Sequence, residues 1–108
     1  DRTARIWKVT TGERVAVLST GTAKILSAVF LDDRHLATGG SDNVIRIWDV
    51  ELQKQIRTLA GHTGSVAALT ASGETLISGS FDTTVRVWHP LSDTNQADRR
   101  RDTTETLK

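Results

Sequence analysis

The chain has 108 residues, 37% apolar and 25% charged, with a formal net charge of +1. This is the composition of an ordinary soluble globular protein, without the field of one sign that would draw in nucleic acid or anionic lipid. It contains no cysteine, which excludes a disulfide frame and a thiolate metal site. No apolar run approaches the length of a membrane span or of a signal peptide's core. A cytoplasmic setting is expected, with the nucleus second and with no nucleic-acid or membrane partner.

Residues 3–9 are β-branched and aromatic enough to be predicted as a strand, turned by Thr10-Thr11-Gly12 into a second over 14–18. Past Gly21, residues 24–30 form a third, with Ile25, Leu26, Val29 and Phe30 apolar. Asp32-Asp33 turns the chain, 35–38 is a short strand ending at Gly39-Gly40, and 44–50 is the next. Leu52-Gln53-Lys54 turns into a strand over 55–59, followed by Ala60-Gly61-His62. The cycle restarts with strands over 65–70, 75–78 and 84–88, separated by Ser72-Gly73-Glu74 and Gly79-Ser80. Short strands at even spacing, punctuated by Gly, Asp and Ser, predict an all-β fold of antiparallel hairpins without helix.

The spacing is even because the sequence repeats. Phe81-Asp82-Thr83-Thr84-Val85-Arg86-Val87-Trp88 restates Asp42-Asn43-Val44-Ile45-Arg46-Ile47-Trp48, which restates Asp1-Arg2-Thr3-Ala4-Arg5-Ile6-Trp7. A period of about 40 residues marks a repeat architecture. Within the phrase Ile45 and Ile47 point to one face, and Val44, Arg46 and Trp48 to the other. A strand apolar on both sides must be covered on both sides, as in a sheet stacked between two similar sheets. The Arg stem would then pack along a neighbour with its head toward water.

Gly61-His62, Leu76-Ile77-Ser78-Gly79-Ser80, the stretch from Asp82 to Trp88 and the pair Trp48-Asp49 resemble the WD-repeat β-propeller family over residues 1–90. The resemblance implies four-stranded blades, with strands a, b and c from one repeat and the outer strand d from the adjacent chain. Residues 1–20 then supply strands c and d of one blade, 21–60 a full blade, and 61–90 strands a, b and c of the last. It also implies that His62, Ser78, Asp82 and Trp88 form a buried hydrogen-bonded tetrad. The preceding repeat retains a partial set, Thr38, Asp42 and Trp48, with Thr22 where His62 stands. In the last repeat His89 replaces the Asp of the Trp-Asp pair.

Because Asp1 falls in a b–c turn, the expectation is the C-terminal portion of a longer propeller whose N-terminal part returns the missing strand d. Self-assembly of copies into a ring is the rival, although joining a-b-c of one copy to c-d of the next duplicates strand c. Beyond Pro90, residues 91–108 are expected to be a polar flexible tail, with a short helix over 95–105 as the alternative.

The residue types of a hydrolase triad occur in His62, Ser78 and Asp82, but Ser78 lies inside a strand, not at a nucleophile elbow. His35, His62 and His89 lack metal-ligand spacing, and Asp32-Asp33 reads as a turn. Gly39-Gly40-Ser41 and Gly79-Ser80 read as turn glycines, not a phosphate loop. Arg99-Arg100-Arg101 is flanked by Asp98 and Asp102, which cancel most of its field, and Arg100-Arg101-Asp102-Thr103 loosely resembles a basophilic kinase site. Phe81 and its counterpart Ser41 precede the turn Asp, on the face where the resemblance implies partner binding. The function expected is therefore a protein–protein interaction scaffold without catalysis of its own, a metal or a cofactor. The alternatives are a recruiting or sensing domain of a larger multidomain enzyme and a self-assembling propeller fragment.

Overall fold

The computed structural model describes residues 2–7, 11–91 and 103–106. Among these, every regular element is a strand. The strands are β1 (Thr3–Trp7), β2 (Arg14–Ser19), β3 (Ile25–Phe30), β4 (His35–Gly40), β5 (Ile45–Asp49), β6 (Lys54–Leu59), β7 (Val66–Ser72), β8 (Thr75–Ser80), β9 (Thr84–Trp88) and β10 (Thr103–Thr106). They form a two-stranded sheet β1-β2, a middle sheet β3-β4-β5-β6 and a last sheet β7-β8-β9-β10, all paired antiparallel.

The repeat reaches the irregularities as well as the strands. The register slips at Ile6/Trp7 and Ile47/Trp48, just before the Trp, and at Ile25/Ser27 and Val66/Ala68 in the inner strands. Bulges of this kind add local twist, so the copies that share a slip are bent at the same place.

Two apolar layers hold the sheets against one another. Between the two-stranded and middle sheets lie Ala16, Leu18, Leu36, Trp48 and Val50, with Ala4 and Ile6 packed against them. Between the middle and last sheets lie Ala37, Ile45, Ile47, Val66, Leu76 and Trp88. Ile45 and Ile47 thus face forward and Trp48 backward, the division that the alternation predicts. Burying one such side chain contributes about 1.5–3 kcal/mol, which makes these layers the main support of the stack. The middle and last sheets approach so closely that a Cβ on Gly39 would stand 2.6 Å from Ser27 Oγ and 2.8 Å from the Val66 carbonyl. Only a residue without a side chain fits there. Arg57 adds a polar tie, donating from Nη1 to the Pro90 carbonyl at 2.6 Å.

Trp7 and Phe30 lack such cover. Trp7 is 55% exposed, whereas its counterparts Trp48 and Trp88 are 4% and 5% exposed. Phe30 lies on the side of the middle sheet that faces the two-stranded sheet, beyond the reach of its two strands, and it remains 48% exposed.

One expectation is corrected here. Thr103–Thr106 is not tail but the fourth strand of the last sheet, with Thr103 opposite Val87 and Thr106 opposite Thr84. Strand β9 would otherwise present a row of unpaired N–H and C=O groups, and Thr has high strand propensity, so a Thr-rich segment without apolar alternation can serve as the edge. The flexible tail and helix expected over the rest of 92–108, with Arg99–Arg101, fall outside the described residues.

Candidate protein-interaction face

The turns between the second and third strands of each repeat lie on one face with the crossovers that lead into the next sheet. In the last sheet this turn is Ser80-Phe81-Asp82-Thr83. Its backbone is fastened from several sides. Phe81 N–H donates to the Ser65 carbonyl at 3.0 Å, Asp82 N–H to Ser80 Oγ at 3.0 Å and Thr83 N–H to the Ser80 carbonyl at 3.2 Å. Ser80 Oγ donates in turn to the Gly64 carbonyl at 2.9 Å. A Cβ on Gly64 would stand 2.7 Å from the Asp82 nitrogen, so the crossover can press against the turn only because residue 64 is glycine. The Phe81 side chain, 74% exposed, projects from this fixed backbone.

Beneath the turn the four tetrad residues come together. His62 Nδ1 stands 2.9 Å from Asp82 Oδ2 and His62 Nε2 2.6 Å from Ser78 Oγ, and Trp88 Nε1 donates to Ser78 Oγ at 2.8 Å. Since the indole can only donate, a consistent assignment has Ser78 donating to Nε2 and the Nδ1 proton facing Asp82. Burial works to raise the Asp82 pKa. The Thr84 hydroxyl, the Thr63 amide and the His62 ring, all bonded to the ionised form, outweigh it and hold the group well below the usual carboxylate range. Ser78 is fully buried and its hydroxyl is engaged on both sides, so the arrangement positions a turn and exposes no nucleophile. With Asp82 committed, Arg86 lies over the Trp88 ring at 5.8 Å, its Nε buried without a hydrogen-bond partner.

The middle sheet solves the same problem differently. Trp48 Nε1 donates to Thr38 Oγ1 at 2.9 Å, but Thr22 is exposed and no ring bridges to Asp42. Asp42 turns instead to Arg46, which grips it with Nη1 at 3.1 Å and Nη2 at 2.6 Å. That guanidinium lowers the Asp42 pKa. Ser41, also exposed, exchanges bonds with Lys24: its N–H donates to the Lys24 carbonyl at 2.9 Å, and its hydroxyl accepts the Lys24 N–H at 3.0 Å. Ser65 Oγ then donates to the Ser41 carbonyl at 3.3 Å, linking the turns that carry Ser41 and Phe81.

Some roles were not legible residue by residue. Trp48-Asp49 identifies the repeat without saying what Asp49 does. In the structure Asp49 is buried, accepts the Leu52 N–H at 3.0 Å and takes Arg34 Nε at 2.7 Å. The Leu52 amide and then Arg34 hold its carboxyl below the usual range. Arg34 also reaches Glu51 at 2.8 Å. Asp32 caps its turn through the N–H groups of Arg34 and His35, both at 2.8 Å, and meets the His35 ring at 2.9 Å. Among the described residues no three His, Asp or Glu side chains gather as a metal site would require. Gly39, Gly40 and Gly79 lie within strands β4 and β8, and Ser41 within a turn.

The WD40 family model, described as WD domain, G-beta repeat, matches residues 12–49 and 53–89. A DENN domain and WD repeat-containing protein, SCD1 of Arabidopsis thaliana, is 39% identical over 89 residues, 82% of this chain and 8% of that protein. A CCR4-associated factor 4 homolog of Candida glabrata is 34% identical over 82% of the chain and 17% of its own length. The chain therefore spans less than a fifth of either relative. Among solved structures, a chain in the crystal structure of the mitotic checkpoint complex superposes with a TM-score of 0.74 at 25% identity, covering 84% of this chain and 30% of that one.

Proposed function

The chain belongs to the WD-repeat family, whose propellers generally bind other proteins, and on that footing we propose that the face carrying Phe81 and Ser41 is a protein-docking surface, with no catalysis of its own. The observation that carries this is a large aromatic side chain, 74% exposed, on a turn whose backbone is already fixed. A partner meeting Phe81 does not have to supply the ordering of the loop, so more of the contact energy appears as affinity. Exposed aromatic anchors are the residues that most often dominate such interfaces. The test is a photo-crosslinking side chain at position 81 in the full chain, beside Phe81→Ala. The expected result is a covalent partner at 81 and loss of that partner from the folded Ala variant. Undiminished binding by folded Phe81→Ala would remove the reading.

A second reading has one observation in its favour: the name of the Arabidopsis relative joins a DENN domain to its WD repeats, and this chain matches 8% of that protein. The same surface would then recruit or sense for a larger multidomain protein, and a catalytic motif elsewhere in the polypeptide would discriminate. The exposed Trp7 side takes a further propeller blade, from a longer chain or from a second copy. Native mass beside denatured mass separates these two sources.

A further inference from the structure

Arg2 and Thr3 at the entry to β1, Ser19 and Gly21 at the crossover, and Lys24 at the start of the middle sheet surround an open cleft of about 420 Å³. A guanidinium-bearing and an ammonium-bearing residue thus come from two different sheets, and Ser19, whose hydroxyl accepts the Gly21 N–H at 3.2 Å, lines the same cleft. Among the described residues neither Arg2 nor Lys24 has an ion-pair partner. The neighbouring turn carboxylate, Asp42, is gripped by Arg46.

The fold does not demand these charges. One repeat later the strand register and the turn bonds place Asn43, Ala60, His62 and Ser65 where Arg2, Ser19, Gly21 and Lys24 stand, and Thr83 is the third counterpart of Arg2. The cation pair is particular to this boundary. It is also continuous with the aromatic anchor. Lys24 is bonded to Ser41, Ser41 to Ser65, and Ser65 to Phe81.

We propose that this cleft receives the phosphate of a phosphorylated peptide segment of a partner, and that an apolar side chain of the same segment packs on Phe81. The proposal rests on the docking-surface reading and adds the ligand's chemistry to it. A phosphate brings close to two negative charges and three acceptor oxygens, which suits a fork of guanidinium donors opposed by an ammonium and a hydroxyl. A peptide fits better than nucleic acid, because two cations and one aromatic anchor stand on a chain of net charge +1. Three hydrogen-bonded steps of about 5 Å link Lys24 to Phe81, so the two lie at most roughly 15 Å apart. An extended peptide covers that in about five residues.

The experiment is fluorescence anisotropy on the full chain with seven-residue peptides. Each carries phosphoserine and a leucine five positions away, in both orders, beside the same peptides with serine or glutamate. The phosphoserine form should bind at least about tenfold more tightly than the serine form, with glutamate between them, and should weaken as salt rises. Arg2→Ala and Lys24→Ala should each weaken it about tenfold, the order of one charge-assisted hydrogen bond, while Lys24→Arg retains it. Phe81→Ala should weaken the serine and phosphoserine peptides by the same factor. Equal affinity for the two forms, no binding of either, indifference to Arg2→Ala and Lys24→Ala in folded protein, or stronger competition by a single-stranded oligonucleotide than by the phosphopeptide would each overturn the proposal. If the cation variants change nothing while the photo-crosslink at 81 still captures a partner, the docking surface stands and the phosphate cleft falls.

Discussion

In the last sheet the loop-face end is fastened by the chain from Asp82 through His62 and Ser78 to Trp88, while in the middle sheet that end keeps only the Thr38–Trp48 bond. At the opposite end the order reverses. Asp49 of the middle sheet is buried between the Leu52 amide and Arg34, whereas the last sheet has His89 and Glu74 at the matching positions. The last sheet therefore buries its multiply bonded Asp at the loop face and the middle sheet at the opposite end. Since the apolar layers and the strand ladders are common to both, one fastening per sheet is enough to set register, and the repeat tolerates loss of the other. The loss has a use at the loop face. Where no His ring reaches it, the turn Asp is held by its own strand through Arg46, and the cleft beside Lys24 lies at that same boundary.

The largest test of this asymmetry is His62→Ala beside Thr38→Ala, read by urea unfolding. Removing His62 creates a cavity, leaves Ser78 without its acceptor and takes a donor from Asp82. A loss of about 3 kcal/mol is expected. Thr38→Ala removes one neutral bond to an indole and should cost about 1–2 kcal/mol. Equal losses would mean that the two loop-face ends are fastened alike.

Acid should reach the last sheet hardest. The folded-state pKa values of Asp82, Asp49 and Asp42 are all lowered from 3.8, so each carboxylate contributes stability that is complete above that value. That stability is lost as pH falls through 3.8 toward the folded value. Asp82→Asn should remove more of the pH dependence between about pH 2 and 5 than Asp42→Asn does, because Asp82 is bonded by four groups and Asp42, the more exposed carboxylate, chiefly by one guanidinium. A steeper loss of pH dependence in the Asp42 variant would reverse the ranking of the two turns.

Amide exchange gives a gentler reading of the same difference. Residues 62–82 should exchange about tenfold more slowly than residues 22–42, since local opening of the last sheet must break the buried chain. Equal protection would show that the ladders alone set the opening.

How far these features could be read from the amino acids follows from what repeats and what does not. The opposing faces of Ile45 and Trp48 were legible because alternation and a 40-residue period constrain them twice over, whereas the meeting of His62 with Ser78 was legible only through the resemblance to the WD-repeat family. The grip of Arg46 on Asp42 was hidden, because its counterpart Arg86 lies over Trp88 in the next repeat and only the local absence of a His ring redirects Arg46. The partnership of Asp49 with Arg34 spans two turns with no periodic signal. Strand β10 escaped because an edge strand needs backbone groups, which every residue has, and its four residues carry no apolar pattern. Arg2 and Lys24 became visible only when their uncharged counterparts were laid beside them.

The finest contrast between the turns is one backbone angle. Asn43 and Thr83 occupy the same place and both are left-handed, with φ of 75° and 69°. Asn enters that region readily because its short amide bonds to nearby backbone, whereas a β-branched residue crowds its own carbonyl there. The last sheet holds Thr83 in place by the bond from its N–H to the Ser80 carbonyl, which an Asn at 83 would keep. Thr83→Asn should therefore stabilise the protein by about 0.5–1 kcal/mol, and Asn43→Thr should destabilise it by a similar amount. Both shifts are measurable as midpoints in denaturant with unchanged slope. If Thr83→Asn brings no gain while Asn43→Thr still costs, the Thr83 hydroxyl, which donates to the Asp82 carbonyl at 2.5 Å, offsets the strain. The tight fastening of that turn would then extend one residue beyond the Asp that anchors it.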